Sequence, residues 1–288
     1  MKKILVPIDY SACANNAVHY AVALSKKLNA SIHLVHGLAI PEFNDMSGIM
    51  IWPAENFMEL STAADEQLKL YVEKLMADVA VQSPSPTITY SIETGSVKQV
   101  IDQLVASSQF DLIVMGLAGA SALDRFFIGS NSREVIAQTK VPVLLIPQTT
   151  THLSIDKIAF ATDLTDTDIH VIHSIARLFC LFNPEILLAH VDDHPADFHD
   201  PSTPANRFLN MVTCNLNYSK IYYRHVKAKT IDAGLKWLSE NAQLSMLAMI
   251  HRHPNIFSRI LAGSHTQRLA KSIRVPLLVM PEDQVQSS

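Results

Sequence analysis

The chain has 288 residues, 48% of them hydrophobic and 17% charged, and a formal net charge of −4. That length favours two domains with ample apolar material for a core in each, and a mildly acidic balance without a basic stripe offers no footing for nucleic acid. No apolar run reaches the ~20 residues that cross a bilayer, so no membrane partner is expected. Cys13, Cys180 and Cys214 are widely spaced without C-x-x-C, and read as reduced packing thiols of a cytoplasmic protein.

Ile4 to Ile8 is an apolar strand, with Asp9 and Ser11 at its end. Pro7 and Asp9 interrupt this opening before it reaches signal-peptide length. Ala14, Ala17, Val18, Ala21, Val22 and Leu28 fall on one side of a helix for which Ser11 is a fitting N-cap. Ser31 to His36 reads as the next strand. From Gly37 to Pro53 no period is visible, and two prolines with Gly48 suggest a mobile flap, its apolar residues covering a ligand or packing on a partner domain. Phe57, Leu60, Ala64, Leu68, Tyr71, Val72, Leu75, Met76 and Val79 recur at helical spacing from Ala54 to about Val81, until Ser83 to Pro86 stops the helix. Thr87 to Ile92 reads as a strand, and Val97, Val100, Ile101 and Leu104 mark another helix. Such alternation implies a mostly parallel sheet covered on both faces.

The stretch from Phe110 to Pro147 carries the candidate chemistry. Leu112 to Met115 is a continuous apolar run of the kind buried on both faces, and a ligand loop is expected to begin where it ends, at Gly116. Gly116 and Gly119 tolerate positive φ and a close neighbour. Gly129 and Ser130 then lead into a helix, whose unpaired amides and partial positive charge suit a phosphate. Ser130 can cap those amides or donate its hydroxyl to the anion, and no acid occupies the first positions. Taken alone, the spacing also fits glycines that only serve turns and a serine that only caps. No G-K-[ST] follows the glycines and no acid pair is evident, so a binding protein with at most slow hydrolysis is expected rather than a fast phosphoryl-transfer enzyme.

After a polar linker near Gln148 to Ser154 the pattern returns. Lys157 to Asp163 repeats Lys3 to Asp9, Ile186 to His190 repeats Ile32 to His36, and Val275 to Pro281 repeats Val141 to Pro147. The chain is therefore divided into residues 1–148 and 155–283, two copies of one domain. In the second copy Asp192 to Ser219 replaces the longer flap and helix.

A first strand ending in Asp9, a second ending in His36, and G-x-x-G, nine residues and G-S before V-P-V-L-L-I-P together resemble the universal stress protein family. The chain looks like a tandem member. The resemblance implies an α/β fold of two flavodoxin- or Rossmann-like doubly wound domains, each a five-stranded parallel sheet in the order 3-2-1-4-5. It also implies stress-related regulation and binding of ATP, ADP or AMP, with magnesium as a candidate companion. Carried over, Asp9 would receive the ribose or adenine edge, and backbone beside Pro7 and Gly37 would border the base. Met115, Gly116 and Gly119 would line the ribose and phosphate path, while Gly129, Ser130 and Asn131 would hold phosphates. Family members commonly dimerise through the last strand, so the two halves are expected to form an intramolecular pseudo-dimer, with a further homodimer and an unidentified protein partner both open.

Aligning Gly263 and Ser264 with Gly129 and Ser130 puts Ile250 at the place of Gly116 and His253 at that of Gly119. A β-branched residue suits positive φ poorly, and both side chains would enter space that the glycines leave open, so the second half is expected not to bind ATP in the family manner. Two rivals stand beside nucleotide binding. One is a nucleotide-independent protein-interaction module. The other is a metal or phospho-ligand sensor at His251, Arg252 and His253, although the histidines there and at His190, His194, His199 and His265 show no familiar zinc spacing.

Overall fold

The computed structural model describes residues 2–38, 54–80, 85–117, 130–150, 152–193, 203–251 and 275–282. The first half runs β1 (Lys3–Pro7), α1 (Ala12–Leu28), β2 (Ser31–Leu38), α2 (Ala54–Ala80), β3 (Ile88–Thr94), α3 (Val97–Ser107), β4 (Leu112–Leu117), α4 (Ser130–Gln138) and β5 (Val143–Pro147). The second half runs β6 (Lys157–Ala161), α5 (Asp166–Leu178), a 3-10 turn at Cys180–Phe182, β7 (Glu185–Asp192), α6 (Pro204–Asn215), β8 (Ile221–Lys227), α7 (Ile231–Asn241), β9 (Met246–His251) and β10 (Leu277–Pro281).

These strands form one sheet in the order β3-β2-β1-β4-β5-β10-β9-β6-β7-β8. Within each half every pairing is parallel, and the order is the expected 3-2-1-4-5 taken from either end. The halves meet where β10 runs antiparallel to β5, with Leu277 opposite Leu145 and Val279 opposite Val143. An unpaired edge strand leaves a row of amides and carbonyls without partners. Each half supplies the other's missing neighbour, and all residues of β5 and β10 are buried.

Successive strand residues point to opposite faces, so the sheet feeds two cores. Ile4 and Val6 of β1 join Leu112 and Val114 of β4 under α1, α2, α5 and α6. Leu5, Ile113 and Met115 join the other core, under α3, α4 and α7. Each core continues across the β5–β10 seam, with Phe160 and Phe179 in the first and Leu247 and Val279 in the second. Burying one such side chain contributes roughly 1.5–3 kcal/mol, so the two halves are held by common apolar layers as well as by the strand seam.

Local signals set the helix starts. The Ser11 hydroxyl accepts from the Ala14 amide at 3.2 Å, and Ser96 with Gln99 forms a reciprocal capping box before α3. Thr203 caps α6 ahead of Pro204 at its first position. Helix α2 buries Ala64, Leu68, Val72 and Leu75, while Leu60 and Met76, expected on the same face, stay 54% and 46% exposed. Its counterpart α6 has 12 residues against 27, matching the shorter middle of the second half. Strand β2 runs on through Gly37 and Leu38, so these two belong to the sheet; the rest of the expected flap, 39–53, lies outside the described residues.

Candidate functional site

Strands β1 and β4 are neighbours, Ile4 beside Leu112, yet the helices that follow them cover opposite faces. That divergence leaves a crevice beyond the strand ends, the usual ligand position in an open parallel sheet. Here it holds a cavity of about 170 Å³. Pro7 and Asp9 reach it from the end of β1 and Gly37 from β2, while Met115 and Gly116 come from β4 and Ser130 and Asn131 from α4. Residues scattered along the first half thus share one wall. Gly119 and Gly129 lie outside the described residues.

The donors suit an anion. Helices α1 and α4 both begin at the cavity, and neither has an acidic residue in its first turn, so the partial positive charge of each start is not offset. Ser130 is the first described residue of α4, so its hydroxyl and amide stand at that helix start. Asp9 is exposed, and its Oδ1 accepts from the Ser11 amide at 3.0 Å. The second carboxylate oxygen remains available to accept from a ligand hydroxyl or amine. The amides of Asp9 and Tyr10 have no acceptor among the described residues. Apolar Val35, Val97, Val100 and Met115 complete the walls, giving a flat ring surfaces to lie on and phosphates two helix starts. These residues fit an adenine nucleotide.

Of the two expectations for Gly116, close approach holds and positive φ does not. It lies inside β4, which continues to Leu117, and it is not among the positive-φ glycines. Its role is steric. A Cβ there would sit 2.5 Å from the carbonyl carbon and oxygen of Cys13 and 2.9 Å from the nitrogen of Ala14. The missing side chain lets the first turn of α1 rest directly on β4, which brings that helix start to the cavity. Positive φ is needed instead at Tyr10, φ 62°, where the chain turns from β1 toward α1. Packing holds this uncommon conformation: the Tyr10 ring lies 5.2 Å from His36 and 5.9 Å, edge-on, from Tyr71. Burial raises both phenols, Tyr71 to about 12 with Tyr10 adding to its shift.

Sequence reasoning passed over two lining residues. His36 was noted only as the end of a strand, yet it faces the cavity, with Nδ1 2.8 Å from the Ile8 carbonyl. A carbonyl only accepts, so Nδ1 is the donor in this hydrogen bond. Cys13, read as a packing thiol, is half-buried and also lines the cavity. Its place at the start of α1 beside Ser11 was the signal that could have found it.

The universal stress protein family model matches residues 1–147. The chain belongs to the universal stress protein family. A Staphylococcus haemolyticus protein of that type is 29% identical over 146 residues, 50% of this chain and 84% of its own length. A universal stress protein of Methanocaldococcus jannaschii is 26% identical over 145 residues, 50% of this chain and 81% of its own. The crystal structure of an Archaeoglobus fulgidus universal stress protein superposes with a TM-score of 0.70 at 18% identity, covering 97% of this chain and 98% of that one. At that identity the likeness speaks to the fold.

Strand registers superpose the second half of this universal stress protein on the first. Ile4 beside Leu112 corresponds to Ile158 beside Met246, and Gly116 beside Ile146 to Ile250 beside Met280. Ile250 therefore stands where Gly116 does, as aligned, but in extended backbone; its bulk rather than its φ distinguishes it. The matching cavity, lined by Asp163, Val191, Met249 and Ile250, is about 40 Å³. A small-for-large exchange runs between the halves. A Cβ on Gly37 would meet Val100 at 3.6 Å, and one on Gly234 would meet Val191 at 2.4 Å. His251 ends β9, and Arg252, His253, His265, Gly263 and Ser264 lie outside the described residues, as do His194 and His199. No group of three His, Cys, Asp or Glu gathers at metal-binding range among the described residues, and no described helix is long and apolar enough to cross a membrane.

Proposed function

We propose that residues 1–148 and 155–283 are two universal stress protein domains, and that the first binds ATP or a related adenine nucleotide in a stress-response regulatory role. The observation that carries this is the convergence of Pro7, Asp9, Gly37, Met115, Gly116, Ser130 and Asn131 on one cavity fed by two acid-free helix starts. Asp9 would take the ribose or base edge and Ser130 and Asn131 the phosphates, with Gly119 and Gly129 on the phosphate path and magnesium a candidate counter-ion. The second cavity, about 40 Å³ and narrowed by Ile250, stays without nucleotide. Binding itself would act as the regulatory event. Mass spectrometry of small molecules released from the purified, denatured protein tests this. Adenine nucleotide at up to one equivalent per chain is the expected result; protein that carries none and takes up none from added ATP contradicts it.

A further inference from the structure

The turn between β6 and α5 is closed by a buried carboxylate. Asp168 is 1% exposed, and its Oδ2 accepts from the Thr162 hydroxyl at 2.6 Å, the Asp163 amide at 3.1 Å and the Thr165 amide at 3.2 Å. The Thr162 oxygen accepts in turn from the Leu164 amide at 3.0 Å. A carboxylate this deep is tolerated because donors and a helix start surround it. The first half has the same turn, with φ 62° at Tyr10 as at Leu164, but Ile8 replaces Thr162 and Ala14 replaces Asp168. There Ser11 donates to Asp9 instead, and the Asp9 and Tyr10 amides lack an acceptor among the described residues. Ile8 and Ala14 line the first cavity, as Thr162 and Asp168 line the second.

We propose that Asp168 is the ligand of its own half: its carboxylate fills the amide turn that the first half leaves open, and so determines which half accepts an anion. The proposal rests on the nucleotide reading of the first cavity. Two effects act together. The donors that an anion would use are already satisfied, and a fixed negative charge beside the cavity repels phosphate. The second half is thereby liganded at all times, whatever the nucleotide concentration.

Transplanting the plug tests this. In the full chain, Ile8→Thr with Ala14→Asp should weaken ATP binding, read by calorimetry, by at least ~10-fold through like-charge repulsion, while the melting temperature stays near that of the wild type. Unchanged ATP affinity in the folded double variant overturns the proposal. Should that variant fail to fold, Asp168→Ala decides, since alanine is already accepted at the matching Ala14. Made in an Ile250→Gly background, which opens the cavity, it should bind one more equivalent of inorganic pyrophosphate than Ile250→Gly alone, and equal stoichiometry overturns the proposal. A wild-type protein that takes up no ATP overturns the nucleotide reading and this proposal together, whereas the other two adverse results touch only Asp168.

Discussion

Replacing Gly116 with alanine adds one methyl group where the fold has no room for it. The new Cβ would lie 2.5 Å from the Cys13 carbonyl carbon and oxygen, whereas contacting carbons sit about 3.5–4.0 Å apart. The start of α1 must then withdraw by about 1 Å, because its obstacle is backbone and no side chain can rotate aside. Overpacking costs typically ~1–3 kcal/mol, and a backbone obstacle puts this case at about 2–4 kcal/mol, a fall of about 5–10 °C in melting temperature. The same withdrawal pulls one of the two helix starts out of the cavity, so ATP affinity falls with stability. Asn131→Asp separates the two effects. It adds charge without volume, and should weaken ATP by about tenfold at unchanged melting temperature. Circular dichroism melts and calorimetric ATP titrations of both variants provide the test. An alanine variant that melts with the wild type would refute the close seating of α1 on β4.

Three further outcomes are expected. Gly37→Val brings a side chain within 3.2 Å of the Gly95 carbonyl and against Val100, costing about 1–2 kcal/mol; combined with Val100→Gly it reproduces the Val191–Gly234 arrangement, and the pair should cost less than the sum of the two single changes in a double-mutant cycle. Burial lifts the Tyr71 hydroxyl from its ordinary 10.0 to about 12, so between those values the folded state holds a proton that the unfolded state has lost. Stability is then fully present below pH 10 and declines toward pH 12, and Tyr71→Phe should flatten that decline in urea titrations. A fragment of residues 1–148 exposes the buried strand β5, and should pair with a second copy through it; a monomer in analytical ultracentrifugation would contradict the account of the seam.

The fold was legible wherever a signal is local or repeated. Alternating apolar strands, the Ser11 cap, and the echo of Lys3 to Asp9 in Lys157 to Asp163 lead to two repeated α/β halves, which the family resemblance completes to five strands each. The cavity was legible for a different reason: in the 3-2-1-4-5 order β1 and β4 must be neighbours, which joins Asp9 to Gly116 without any contact being visible in sequence. What could not be read depends on residues distant in the chain. Gly116 is set by the backbone of Cys13, and Gly37 by Val100. Asp168 looks like an ordinary residue of a helix first turn until its three donors are seen converging.

A crystal structure of the protein grown with ATP tests the central claim most directly. The nucleotide should lie between the ends of β1 and β4, with its base near Gly37 and its phosphates at Ser130 and Asn131, while the cavity beside Ile250 and Asp168 holds none. Nucleotide in both cavities, or a first cavity filled by the protein's own chain, would contradict it.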